Sequence, residues 1–380
     1  MMTARPQPLE APLYVSHPML PPLDQYTGVL AEVWQSAILT NGGALHNRLE
    51  RAIAQRVGSG HLSLWNNGTT ALMGALTALR LAGEVIVTPF TFPATVHAIS
   101  ALGLEPIFAD IEPDTMTIAP ASIADRATER TSAILGTHVY GTSCDTAAIG
   151  SLGRQLGARV VYDGAHSFGR PAPAFDESPD ALGDATMLSF HATKLFHTAE
   201  GGAVVTRDTE LDRRIRLIRN FGIKSESEAE GVGLNGKLSE LHAAMGLLVL
   251  PMLDAELQRR AAIAKRYAAR LAGFEGLAVA AGLDESRQYF VVRISDAFGS
   301  TRDEVHDALR SINVHARRYF YPLVSDLDPY SQLPSARDLP VAKLVASECL
   351  ALPFHALVTD DKVDRIGELF DWQYARARAR

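Results

Sequence analysis

The sequence predicts an α/β fold: a large domain around a mixed, mostly parallel sheet flanked by helices, then a smaller C-terminal α/β domain. Three observations predict it. Between residues 62 and 162, short β-branched and apolar runs alternate with helical stretches, the pattern of parallel βαβ units with helices on both faces. A strand at 62–65 runs through Asn66-Asn-Gly-Thr-Thr70 straight into a helix that is apolar nearly all round, hence buried. And Lys194 falls in a tight loop between two apolar strands, 185–190 and 203–206, where surface lysines are not normally found.

Each element follows from local pattern. Residues 1–20 are Pro-rich and extended. Helices at 24–39 and 44–57 are amphipathic and separated by Thr40-Asn-Gly-Gly43. After the helix at 71–81 come strand 84–88, helix 93–102, strand 106–110, helix 121–127, strand 132–139, helix 146–156 and strand 158–162. A charged helix at 208–219 precedes a polar loop, 222–233, rich in Ser and Glu and expected to be mobile. A long helix is expected from Leu234 to about Ala272, kinked at Pro251. It links to a second domain with a strand at 289–294, a helix at 301–311, a strand near Val314, and helices at 341–349 and 360–374. The expected division is 1–250 and 251–380.

Composition narrows the function. The 380 residues are 47% hydrophobic and 21% charged, enough apolar material for a large core. Net charge is -7 with no long block of like charge beyond the short Arg-containing tail 376–380, which argues against nucleic acid or an anionic membrane as partner. Two cysteines, Cys144 and Cys349, are too few and too far apart for a disulfide framework. The start, Met1-Met-Thr-Ala-Arg-Pro6, lacks an apolar signal core, and no apolar run approaches a membrane span. The expectation is a cytoplasmic protein.

The chemistry concentrates where parallel strands end, because ligands of open α/β sheets sit beyond the carboxyl ends of strands. There the sequence places Thr91-Phe92, His138-Tyr140, Asp163 with His166, and Ser189 with Lys194. The missing GxGxxG after the first strand argues against a dinucleotide dehydrogenase. The strand–Gly/Thr turn–helix at 62–81 is either an anion cradle or an ordinary Thr cap. Asp163 is either a helix cap or a buried carboxylate needing a cation. Lys194 is either a solvated loop lysine or a sheltered amine for covalent chemistry. His191 and His197 flank it and are read as substrate contacts or loop structure.

Eight motifs in order decide among these: Asn67-Gly-Thr-Thr-Ala-Leu72, Thr88-Pro-Phe-Thr-Phe-Pro-Ala-Thr95, His138-Val-Tyr-Gly141, Tyr162-Asp-Gly-Ala-His166, Ser189-Phe-His-Ala-Thr-Lys194 with Glu200-Gly-Gly202, Arg219-Asn-Phe-Gly222, Asn235-Gly-Lys-Leu-Ser-Glu240 and Leu352-Pro-Phe354. Across nearly its whole length the chain resembles the DegT/DnrJ/EryC1/StrS sugar aminotransferases, fold-type-I pyridoxal-phosphate enzymes. The lysine stretch and Arg317-Arg-Tyr-Phe-Tyr-Pro322 look most like members that aminate C4 of dTDP-4-keto-6-deoxyglucose.

The resemblance implies the roles. Lys194 carries the cofactor, Asp163 partners its pyridinium, and His166 stands near its phenolic oxygen. Phe92 lies on the ring face. Gly68, Thr69, Thr70 and Ser189 cradle the phosphate, and Asn235 reaches it from the neighbouring subunit of a homodimer with shared sites. Two departures occur: Gly164 stands where many relatives have Ala, and Thr70 where Ala or Leu is frequent. L-Glutamate is the implied amino donor and a nucleotide-linked 4-keto-6-deoxy sugar the acceptor, by a ping-pong route. Arg219, Arg317, Arg318, Tyr319 and Tyr321 are the candidate substrate contacts, and no metal is expected. The alternatives are a C3 keto-sugar or amino-cyclitol aminotransferase, a dehydratase relative with histidine in place of the lysine, and a catalytically inactive regulator on the same fold.

Overall fold

The computed structural model describes residues 4–58, 61–170, 178–280 and 286–379. Residues 1–3 of the extended start and Arg380 of the basic tail lie outside the described residues. A short strand β1 (Leu13–Tyr14) precedes two helices, α1 (Leu23–Ser36) and α2 (Ala44–Val57). Then come β2 (His61–Trp65), α3 (Gly68–Ala78), β3 (Glu84–Val87), α4 (Pro93–Ala101), β4 (Glu105–Phe108), α5 (Pro120–Arg126), β5 (Thr131–Thr137), α6 (Thr146–Leu156) and β6 (Arg159–Asp163). The antiparallel return is β7 (Ala185–Ser189) to β8 (Gly202–Thr206), followed by α7 (Thr209–Arg219). A small hairpin, β9 (Ile223–Ser225) and β10 (Glu228–Ala229), leads to α8 (Glu240–Val249) and α9 (Leu253–Arg270). The C-terminal part holds β11 (Leu277–Val279), β12 (Phe290–Ile294), α10 (Arg302–Arg310), β13 (Val314–His315), α11 (Pro340–Glu348), β14 (Cys349–Leu352) and α12 (Asp360–Arg378).

The main sheet has seven strands in the order β2-β8-β7-β6-β5-β3-β4. Only β8 runs against its neighbours, so the sheet is mixed and mostly parallel. Its central strands are buried on both faces, as their mostly apolar runs require: Val160 to Tyr162 in β6, Ala185 to Leu188 in β7 and all of β8, with Thr186 and Thr206 the buried polar members. A second, antiparallel sheet, β11-β12-β14, carries its own core with Tyr267, Phe290, Phe298 and Phe370. The N-terminal segment belongs to that second layer. Leu13 pairs with Val314, the Leu9 N–H donates to Ile312 O at 3.1 Å, and the Phe354 N–H donates to Val15 O at 3.0 Å. The expected division near residue 250 is therefore crossed by the first residues of the chain.

Several boundaries differ from expectation, each for a local reason. Helix α3 starts at Gly68, not Ala71, because Asn67 Oδ1 accepts the Thr70 N–H at 2.9 Å and caps it three residues early. Asp163 is the last residue of β6 rather than the residue after it, since its register with Thr137 and Met187 continues the ladder. The long helix begins at Glu240 behind a Ser239 cap, so Asn235 does not open it; Asn235 bridges Asn220 instead. The helix breaks at Leu250–Met252, where Pro251 removes a donor and the turn tightens to 3₁₀. Residues 222–233 contain the β9–β10 hairpin rather than an unstructured loop. Cys349 opens β14 instead of closing α11.

One partly buried charge cluster ties the helices to the sheet edge. Glu50 of α2 pairs with Arg216 at 2.8 Å and Arg219 at 3.3 Å, and accepts the Leu64 N–H at 3.1 Å. Burial alone would raise its pKa, but the His46 hydrogen bond and the two guanidinium charges overcome this and take it to about 2. A depressed carboxyl stabilises the fold above its ordinary value and loses that contribution as pH falls through its folded value. Glu50→Gln is therefore expected to cost about 3 kcal/mol at neutral pH. Urea titrations from pH 7 downward should show the difference from the parent shrinking between pH 4.5 and about 2; a gap that stays constant would refute the assignment.

Candidate active site

Asp163 ends β6 at 5% exposure, at the carboxyl edge of the sheet. Thr95 Oγ1 donates to its Oδ2 at 2.6 Å and the Ala165 N–H to its Oδ1 at 2.9 Å. A chain of hydroxyls continues from Thr95 to Thr91 at 2.9 Å, to which Thr137 Oγ1 donates at 3.1 Å. Thr95 is delivered by α4, which starts directly after Phe92 with Pro93 at its first position. Burial pushes the Asp163 carboxyl above its ordinary range, against the two hydrogen bonds and the Lys194 charge.

Lys194 sits in the twelve-residue return between β7 and β8. That return is closed by the Phe190 N–H to Gly201 O at 2.8 Å and the Thr198 N–H to Phe190 O at 3.0 Å. Phe190 meets Phe168 and Phe196 edge-on, Phe168 and Phe196 pack at a tilt, and the three hold the base of the return in the core. Gly202 is required here by space. A Cβ there would stand 2.8 Å from both the carbonyl of Asn67 and the nitrogen of Gly68, in the turn before α3. Lys194 keeps one side toward the cavity, while the protein packed around its ammonium lowers its pKa to about 8; the Asp163 charge opposes the shift.

His166 is buried and accepts the Tyr140 N–H on Nδ1 at 3.1 Å, which leaves Nε2 as its donor. Burial, and then the Lys194 charge, hold its pKa well below the usual histidine range, so the ring is neutral. Tyr140 occupies left-handed backbone at φ 54, an uncommon conformation for a non-glycine residue. Three bonds hold it: its N–H to His166, Ser286 Oγ to its carbonyl at 2.9 Å, and its hydroxyl to Tyr319 O. Tyr289 meets His166 edge-on at 5.1 Å.

Lys194, Asp163, His166, Phe92, Gly68, Thr69 and Ser189 line one cavity of about 320 Å³. At one end the first residues of α3 meet the end of β7. A Cβ on Gly68 would lie 3.1 Å from Ser189 Cβ, so only hydrogen leaves the helix N-terminus open beside that hydroxyl. Thr70 falls outside this cradle: its N–H is taken by Asn67 Oδ1 and its hydroxyl bonds the Asn67 carbonyl at 3.1 Å.

A second cleft of about 480 Å³ adjoins the first and shares Thr91, Phe92, Tyr319 and Phe320 with it. Arg317, Arg318 and Tyr321 line it together with Arg310, His306 and His315, which the sequence reading missed. Arg318 pairs with Asp303 at 3.1 Å and lies 5.4 Å from the Tyr321 ring centre. Arg219 is in neither cavity. It is committed to the Leu64 carbonyl at 2.8 Å and to Glu50, and so serves the sheet edge. His197 is equally structural, bonding Met19 O at 2.7 Å, whereas His191 lines the cavity and faces Glu200 at 3.5 Å. Asn235 is exposed on the surface. Thr95 and Tyr289 were also missed. The Thr91/Thr95 spacing places two hydroxyls about one turn apart and was a usable signal for the first; Tyr289 has no local signature.

The donor set fits pyridoxal phosphate: an amine of lowered pKa for its aldehyde, a buried carboxylate for its ring nitrogen, an open helix N-terminus for its phosphate, and the exposed Phe92 ring as a wall. The lysine environment is measurable alone. Competitive acylation with mass spectrometry should give Lys194 a midpoint near pH 8, with exposed Lys224 as internal reference. In Asp163→Asn the midpoint should fall, because the attraction that favours the ammonium is gone; an upward move would contradict the electrostatics described here.

Residues 24–371 match the DegT/DnrJ/EryC1/StrS aminotransferase family. The chain is 39% identical over 363 residues to the dTDP-4-amino-4,6-dideoxy-D-glucose transaminase of Shigella dysenteriae, covering 94% of this chain and 98% of that protein. It is 37% identical over 365 residues to the protein of the same name from Escherichia coli, covering 93% and 97%. The crystal structure of DesI in the presence of its TDP-sugar product matches with a TM-score of 0.92 at 35% identity, over 98% of this chain and 96% of that one. With this fold, this cavity and these relatives, the chain belongs to the DegT/DnrJ/EryC1/StrS family and is a pyridoxal-phosphate-dependent sugar aminotransferase.

Proposed function

We propose that this enzyme moves an amino group from L-glutamate to C4 of a nucleotide-linked 4-keto-6-deoxy sugar, dTDP-4-keto-6-deoxyglucose, by a ping-pong route. The observation that carries the reading is the pair of joined cavities: one holds the lysine and carboxylate, and the other is lined by Arg310, Arg317 and Arg318. An acceptor with a diphosphate suits such a cleft, because guanidinium groups match phosphate oxygens. The choice of C4 is supported by the likeness to the two dTDP-4-amino-4,6-dideoxy-D-glucose transaminases above.

Lys194, Asp163, His166, Phe92, Gly68, Thr69 and Ser189 would hold the cofactor. When bound, pyridoxal phosphate supplies an aldehyde that takes up the amine and a ring that withdraws electrons. Lys194 Nζ would carry the proton: uncharged above pH 8, it would take a proton from the donor's Cα and, in the second half-reaction, deliver one to the sugar's C4. Asp163 holds a proton at the ring nitrogen, its own oxygens oriented by Thr95 and the Ala165 N–H. Neutral His166 offers Nε2–H to an oxygen without adding charge. A homodimer with Asn235 reaching the partner's phosphate site belongs to the same reading, as does a cytoplasmic location. The dimer is supported by exposed Leu23, Trp34, Ile38 and Leu39 along and after α1, and by Phe221, Ile223 and Val232 near Asn235. No helix among the described residues is long and apolar enough to cross a membrane.

Borohydride treatment followed by peptide mapping should fix the cofactor on Lys194 in the parent and on no residue of Lys194→Ala, which should also lose turnover. A variant that transaminates at the parent rate would refute the role. Arg317→Ala should raise the sugar KM by one to two orders of magnitude, roughly 1.5–3 kcal/mol, while the glutamate half-reaction is unchanged. NMR of the product decides the substrate: an amino group at C3, or preferred turnover of an unlinked cyclitol ketone, overturns the C4 reading.

A further inference from the structure

The peptides on either side of Lys194 are gripped by one side chain from the C-terminal half. Gln288 precedes β12 and is 4% exposed. Its Oε1 accepts the Leu195 N–H at 2.9 Å and its Nε2 donates to the Thr193 carbonyl at 3.4 Å. The two groups belong to the residues immediately before and after Lys194, so the lysine Cα is held from both sides. A glutamine amide carries its acceptor and its donor on two atoms of one planar group, so it can meet an N–H and a carbonyl side by side, and its extra methylene gives it a longer reach than asparagine.

Gln288 is itself anchored. Its carbonyl accepts from Arg260 at 3.1 Å, and that guanidinium, 3% exposed, is paired with Glu256 of α9 at 2.8 Å. Arg260 also holds the Arg287 carbonyl at 3.2 Å. Two residues earlier, Ser286 donates to the Tyr140 carbonyl, and Tyr140 in turn donates to His166. Residues 286–288 therefore touch the lysine loop on one side and the His166 turn on the other, and are fastened to a helix outside the site.

We infer that Gln288 is a positioning residue: through its two bonds to the peptides flanking Lys194 it sets where the lysine amine stands relative to Asp163 and His166, with Arg260 and Glu256 as its anchor. Gln288 touches neither substrate nor cofactor in this role. The inference rests on Lys194 being the working amine and is independent of which sugar is bound.

The test compares Gln288→Leu with the parent as full chains. Competitive acylation of cofactor-free protein reads the pH midpoint of Lys194 against Lys224, and steady-state kinetics of the loaded enzyme read kcat and KM for glutamate. The titratable groups facing Lys194 across the cavity are Asp163, His166, His191, Glu200, Tyr289 and Tyr319; none is substituted in the variant, and only Tyr289, which the Gln288 side chain also hydrogen-bonds, loses a partner. A lysine freed to swing toward water should show a midpoint higher by about one unit. It should also show kcat reduced about tenfold with KM within about twofold, because the amine is misplaced rather than the donor unbound. If Gln288→Leu fails to accumulate, Gln288→Asn keeps an amide one methylene short of its partners and should give the same two shifts. A folded variant with the parent midpoint and parent kcat overturns the inference, since a glutamine that merely satisfied two backbone groups would leave both readings in place. The midpoint is read without cofactor or sugar, so a failed substrate assignment and a failed clamp give different results.

Discussion

Everything in this molecule answers to one electrostatic constraint: a carboxylate and an amine must share a space from which most water has been removed. Taking either group out of water is costly, and their mutual attraction offsets that cost only if both are held where they are. The parallel strands solve half of the problem by ending together, so that Asp163 arrives at the rim of the sheet already backed by Thr95 and the Ala165 N–H. The other half falls to the β7–β8 return, which lifts Lys194 over a floor of Phe168, Phe190 and Phe196. Opposed tendencies result. Burial drives the acid up and the base down, and each partner's charge pulls the other part of the way back.

The antiparallel β8 is what brings the third ingredient close. By running back between β2 and β7, it presses Gly202 against the turn at Asn67 and Gly68. An anion cradle and an amine that lie far apart in the chain thus become neighbours through one reversed strand. The same geometry explains why small residues crowd this region: Gly202 stands against backbone, Gly68 against the Ser189 side chain and Gly201 against that of Thr198.

Much of this was legible in the residues. The βαβ rhythm, the apolar strands around Lys194 and the order of the motifs are local properties, and they carried both the architecture and the central cavity members. What escaped was set by distance along the chain. Arg219 closes a charged helix and reads as a surface residue open to a phosphate; only the fold reveals Glu50 and the Leu64 carbonyl waiting for it. Thr70 looked interchangeable with Thr69 until Asn67 claimed its amide. Arg310 and His315 are single polar residues in a stretch whose apolar members serve the core, and nothing nearby announces that they will line the same cleft as Phe92. Cys349 was drawn into the preceding helix because a four-residue strand after a helix has too few residues to show a period of its own.

The pairing of Leu13 with Val314 carries a consequence for how the chain comes into being. A chain is synthesised from N- to C-terminus, and Leu13 is made long before its hydrogen-bonding partner Val314. Until those partners are made, Leu13 and Val15 lack the contacts that bury them in the native fold, while the main sheet can assemble from strands already present. The pairing of this segment therefore comes after the main sheet can form, and the C-terminal layer stays open until Val314 and Phe354 have been made.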